Sequence, residues 1–115
     1  MPRYIHKKLN LAIANGQNID EAKISLPAGT CVGMAAVVAG TRPVDFVDLT
    51  VLENGAEIVE GSDYQFFEKT NAGKWVESLR PMTFDCNRNV TVRLSANSNL
   101  VADFKLQVIF FIVQN

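Results

Sequence analysis

Along most of this chain apolar residues recur at every second position, the period of a half-buried β-strand. Ile5, Lys7, Leu9, Leu11 and Ile13 share one phase, and Asn15-Gly16 closes that element with turn chemistry. Ala22, Ile24 and Leu26 repeat the alternation up to Pro27-Ala28-Gly29. The run Cys31 to Ala39 is apolar on both faces. Gly33, the paired valines and the flanking turns predict a central strand there instead of a helix. Val47, Leu49 and Val51 lead into Asn54-Gly55, the strongest hairpin signal in the sequence, and Ile58-Val59 returns from it. Tyr64, Phe66 and Phe67 predict a further strand, ended by Asn71-Ala-Gly73; Trp75, Val76 and Leu79 follow. Met82, Phe84 and Cys86, then Val90, Val92 and Leu94, alternate on either side of Asn87-Arg-Asn89.

The C-terminal stretch changes character. Phe104, Leu106 and Val108 oppose Lys105 and Gln107, but from Val108 to Val113 both faces are apolar. Such a strand needs cover on two sides, inside a sandwich or at an interface. Exposed at a sheet edge, it would invite aggregation.

Eight main strands and one or two short ones, with turns at short intervals, predict a single all-β sandwich domain over residues 1–115. We expect an eight-stranded jelly roll, with an immunoglobulin-like sandwich as the alternative and a closed barrel also open. The long first and last strands are expected to pair in the middle of one sheet.

Composition sharpens this only slightly. Apolar residues make up 48% of 115 and charged residues 20%, so some apolar surface is expected between subunits. A net charge of -1 argues against a general nucleic-acid binder. The start, Met1 to Lys8, has no apolar core or cleavage site, so no signal peptide is expected. No apolar run approaches the ~20 residues of a membrane helix.

Candidate chemistry is sparse. His6 is the only histidine, on the polar side of its strand with Tyr4 and Lys8, and it lacks partners for a metal site or a triad. No Gly-x-Ser-x-Gly elbow occurs. Asp45 and Asp48 fall on opposite faces, as do Glu57 and Glu60, so neither pair converges for acid–base work. A calcium site from Asp45, Asp48, Asp63 or Asp85 has nothing to motivate it. Cys31 and Cys86 read as small buried hydrophobes, with a bridge between sheets as the alternative. Asn89-Val90-Thr91 matches a glycosylation sequon unaccompanied by a secretion signal. Arg3, His6, Lys7 and Lys8 could form a basic arm, though four charges are a short run. We therefore expect no catalytic residue, no cofactor and no metal.

The whole-chain pattern resembles small single jelly-roll structural proteins of viruses, in particular auxiliary or head-decoration proteins of bacteriophages. The resemblance rests on a basic, extended N-terminus (Pro2 to Leu11), turn-punctuated strands, and two hydrophobic strands near the end, Val90 to Leu94 and Phe104 to Val113. It implies a non-enzymatic virion protein, assembled in the host cytoplasm, that fastens onto capsid subunits and self-associates as a homo-oligomer. No membrane partner is implied. The alternative is a carbohydrate-binding, lectin-like module with loops around Tyr64 to Trp75 stacking on sugar. An enzyme on a cupin-like barrel is a third reading, disfavoured by the single histidine.

Overall fold

Nearly every period-two segment becomes a strand. A computed structural model describes residues 3–40, 43, 46–68, 80–86 and 88–114, the side chains at 66 and 80–82 excepted. Its strands are β1 (Arg3–Ile13), β2 (Ile19–Leu26), β3 (Thr30–Ala39), β4 (Val47–Glu53), β5 (Ala56–Asp63), β6 (Arg80–Asp85), β7 (Arg88–Ala96) and β8 (Phe104–Gln114). They form two antiparallel four-stranded sheets, ordered β1-β8-β3-β6 and β2-β7-β4-β5, packed as a sandwich. We call these sheet I and sheet II.

The pairing follows from one simple object. β4 pairs with β5, β3 with β6, β2 with β7 and β1 with β8, so the chain is a long two-stranded ribbon. Its bend is the Asn54-Gly55 turn, where both residues have positive φ (52° and 84°), as a tight hairpin with right-handed strand twist requires. Rolling that ribbon adds two further pairings, β3 with β8 and β4 with β7, and closes each sheet.

Alternation fixes the core. Leu11, Ile13, Leu106, Val108, Phe110 and Ile112 from sheet I meet Val47, Leu49, Val51, Val90, Val92 and Leu94 from sheet II, all buried. Burial of Phe110 or Ile112 contributes roughly 1.5–3 kcal/mol each. Tyr64 packs on Phe104 with ring centroids 4.9 Å apart at 57°, a tilted geometry that aromatic quadrupoles favour. Gly29 closes the Pro27–Gly29 turn at φ 143°, and a Cβ there would stand 2.6 Å from the Val113 carbonyl oxygen. Only glycine lets this turn lie against the end of β8.

Two expectations need correction. Tyr64–Phe66 is a single 3₁₀ turn, not a strand. The Asp63 carboxylate accepts the Gln65 N–H at 3.2 Å and the Phe67 N–H donates to the Tyr64 carbonyl at 3.0 Å, so local bonds displace the ladder. The Phe67 carbonyl then accepts the Ala36 N–H at 2.8 Å, giving β3 a partner beyond its pairing with β6. Second, β8 is internal but β1 is an edge strand, because β1 pairs with β8 alone. The segments expected at Asn71–Gly73 and around Trp75, Val76 and Leu79 lie outside the described residues.

Candidate functional site

The register of sheet I divides β8 into two unlike faces. Phe104, Leu106, Val108, Phe110 and Ile112 point into the core and are buried. Lys105, Gln107, Ile109, Phe111 and Val113 point outward and are exposed or half-buried. On the outward side they stand beside Ala12, Asn10, Lys8, His6 and Tyr4 of β1, residue for residue. On the other flank Gly33, Ala35 and Val37 of β3 oppose Phe111, Ile109 and Gln107. The stretch expected to need cover on both sides is thus fully covered on one and half-covered on the other.

This outer face has an apolar half and a polar half. Ile109, Phe111 and Val113 form the apolar half, bordered by Tyr4, which is 63% exposed. The His6 ring lies 6.3 Å from the Phe111 ring, tilted by 40°. In the polar half the Gln107 amide donates to Asn10 Oδ1 at 2.9 Å. A shallow groove of about 540 Å³ runs there between Asn10, Ala12, Val37, Lys105 and Gln107, with Asp20 at its rim.

Sheet II is mostly polar on its outward side, with Ile19 of β2, 48% exposed, as an apolar exception. Its outward positions include Glu21, Lys23 and Ser25 on β2, Asn89, Thr91, Arg93 and Ser95 on β7, and Asp48 and Thr50 on β4. Arg93 Nε donates to Glu21, and the Ser25 hydroxyl donates to Asn89 Oδ1. Such a face is comfortable in water. On sheet I, Ile109, Phe111 and Val113 are apolar and half-buried, and Gly33 and Ala35 beside them are buried.

The exposed edge of β1 is guarded. Lys7 shares the core phase with Ile5 and Leu9 yet remains exposed at the sandwich rim. A charge pointing inward from an edge strand resists the addition of another strand. The Asp20 carboxylate also accepts the Ala12 N–H at 2.9 Å, removing one edge donor. The β1 edge is therefore protected against extension of the ladder.

The residues singled out for chemistry do not converge. His6 sits among Tyr4, Lys8 and Phe111 on an exposed strand face, and the basic start is an ordered strand instead of an arm. Asp48 and Asp63 are cross-strand partners, but the Asp63 carboxylate already accepts N–H bonds from Val47 (3.1 Å) and Gln65 (3.2 Å). Asp85 belongs to the other sheet, and Asp45 lies outside the described residues. Glu57 and Glu60 are both exposed on β5. Among the described residues no three His, Cys, Asp or Glu side chains gather in a way that could hold a metal ion.

The cysteines are free and buried, one on β3 and one just past β6. The Cys31 thiol donates to the Gly33 carbonyl at 3.5 Å. Burial pushes its pKa up to about 12, and burial also raises that of Cys86. Both stay protonated and unreactive at neutral pH. Of the aromatics considered for sugar stacking, Tyr64 and Phe67 are core residues, and Trp75 lies outside the described residues. Among the described residues no helix is long and apolar enough to cross a membrane. No protein-family model matches the chain, and no curated protein matches it either.

Proposed function

We propose that this chain is a non-enzymatic structural protein of a virus particle, an auxiliary capsid or decoration component that binds the shell and self-associates. The observation that carries the reading is the outer face of sheet I, where Ile109, Phe111 and Val113 form a half-buried apolar stripe, while the outward positions of sheet II are mostly polar, Ile19 excepted. A protein made to attach needs one such face and a rigid body behind it. The 11-residue β1 and β8 strands and the well-filled core supply the rigidity.

The strand order supports the jelly-roll reading of the sandwich. In an immunoglobulin-like sandwich the first two strands pair within one sheet. Here β1 and β2 belong to different sheets, and β1 pairs with the last strand. A ribbon folded at its middle and rolled into two sheets is compatible with a jelly roll.

The partner under this reading is a capsid subunit, the place of action is the virion, and neither cofactor nor catalytic residue enters. Many copies on one shell make individually weak contacts additive. Protein mass spectrometry of purified particles of the source virus tests it. We expect the chain at a copy number comparable to the shell subunit, and Ile109→Thr protein, folded by circular dichroism, to be lost from the particles. Absence of the wild-type chain from purified particles overturns the reading.

A further inference from the structure

The two side edges of the sandwich carry opposite net charge, although Asp20 and Glu21 stand on the cationic edge and Arg80 on the anionic one. β1 and β2 lie against each other across the sandwich, tied by the Asp20 to Ala12 bond, and form one edge. The strand orders place β6 and β5 at the far ends of their sheets, three strand spacings or about 14 Å away. On the β1/β2 edge stand Arg3, Lys7, Lys8 and Lys23, all exposed, with His6 beside them. On the far edge stand Glu57 and Glu60 of β5 and Asp85 of β6, also exposed. Among the described residues none of these makes an ion pair; the two pairs present, Arg88–Glu53 and Arg93–Glu21, use other side chains.

The separation holds in two rows and fails in a third, where Lys7, Phe110, Met34 and Arg80 set a cation at each end. In sheet II one row runs Lys23, Thr91, Leu52, Glu57, a cation at one edge and an anion at the other. In sheet I one row runs Tyr4, Val113, Thr30, Asp85, with Arg3 next to the first member. Arg3, Asp85 and Glu57 all lie toward the end of the sandwich that carries the 26–30, 53–56 and 85–88 turns. Two copies set side by side therefore bring Arg3 and Lys23 of one level with Asp85 and Glu57 of the next.

We propose that copies of this chain associate head to tail, the β1/β2 edge of one copy against the β5/β6 edge of another. This deepens the self-association proposed above and rests on it. Symmetric pairing of like edges is disfavoured, because β1 against β1 would oppose Arg3, Lys7 and Lys8 to their own copies, and β5 against β5 would oppose Glu57 and Glu60. A contact between different surfaces leaves one edge of each kind free in a dimer, so association continues until a ring closes or a filament grows. The inward Lys7 blocks strand addition, so side-chain ion pairs and not a shared ladder carry the contact.

The test is sedimentation equilibrium of the full chain in low and in high salt, with two edge-reversed variants, K7E/K8E and E57K/E60K. We expect wild-type oligomers that dissociate as salt screens the edges. Each variant alone should be monomeric, since its edges then no longer carry opposite net charge, and mixing the two should restore association in equal proportion. The substituted side chains are all exposed, and circular dichroism confirms folding. Wild-type association that survives both reversals unchanged overturns the edge contact while leaving self-association standing. A wild-type monomer at every salt and protein concentration overturns both.

Discussion

The Asp20 carboxylate of β2 accepts the backbone N–H of Ala12 in β1 at 2.9 Å, so a side chain of one sheet finishes the edge of the other. Replacing it with alanine removes the acceptor of that amide and loosens the join between sheets. We expect Asp20→Ala to cost about 1 kcal/mol, the usual net worth of such a bond, and Asp20→Asn less, because an amide oxygen still accepts. Urea unfolding checks this through a lower midpoint at unchanged slope.

The two faces of β8 differ in what they can lose. Ile112 is fully buried, whereas Ile109, three residues earlier on the opposite face, is half-buried. Ile112→Ala should destabilise by about 2–5 kcal/mol, including the cavity left behind. Ile109→Ala should cost under about 1 kcal/mol in the monomer. Equal losses in thermal unfolding would show that the assignment of faces is wrong.

Gly61 has no space for a side chain. A Cβ built there stands 2.5 Å from Oγ1 of the buried Thr50. We expect Gly61→Ala to cost about 1–3 kcal/mol through overcrowding. Thr50→Ala removes the obstructing oxygen, so the double variant should be more stable than the sum of the single losses allows. A double-mutant cycle with no coupling would contradict that contact.

The buried thiols make a pH prediction. Cys31 titrates at about 12 in the fold against 9.0 when exposed. Above 9.0 the unfolded chain loses that proton while the folded chain keeps it, so unfolding gains and stability falls as pH rises toward about 12. The effect is absent at neutral pH. Stability measured against pH in wild type and Cys31→Ala should diverge only on the alkaline side. Alkylation by iodoacetamide near neutral pH should reach neither cysteine until the protein unfolds.

How much of this was legible in the sequence depends on whether the cause is local. Period-two alternation and turn residues located the strands around Leu9, Leu26, Val51 and Val92, because each signal lies within the strand it describes. Asn54-Gly55 marked the bend of the ribbon for the same reason. Tyr64–Phe67 misled, since three aromatics imitate strand composition while the deciding group is the Asp63 carboxylate just before them. The edge position of β1 was hidden because strand order is a long-range property; an inward Lys7 between Ile5 and Leu9 was its one sequence trace. The two-faced C-terminal strand was legible as a demand for cover, and the structure shows which side the fold covers. Charge separation between edges was present as the clusters Arg3 to Lys8 and Glu53 to Glu60, but only the register places them across from one another.

The mass of the purified chain in solution, followed by sedimentation equilibrium over a wide concentration range, bears most directly on the proposed self-association. We predict a mass rising with concentration above the 12.7 kDa of one copy. A constant 12.7 kDa across the whole range would contradict it.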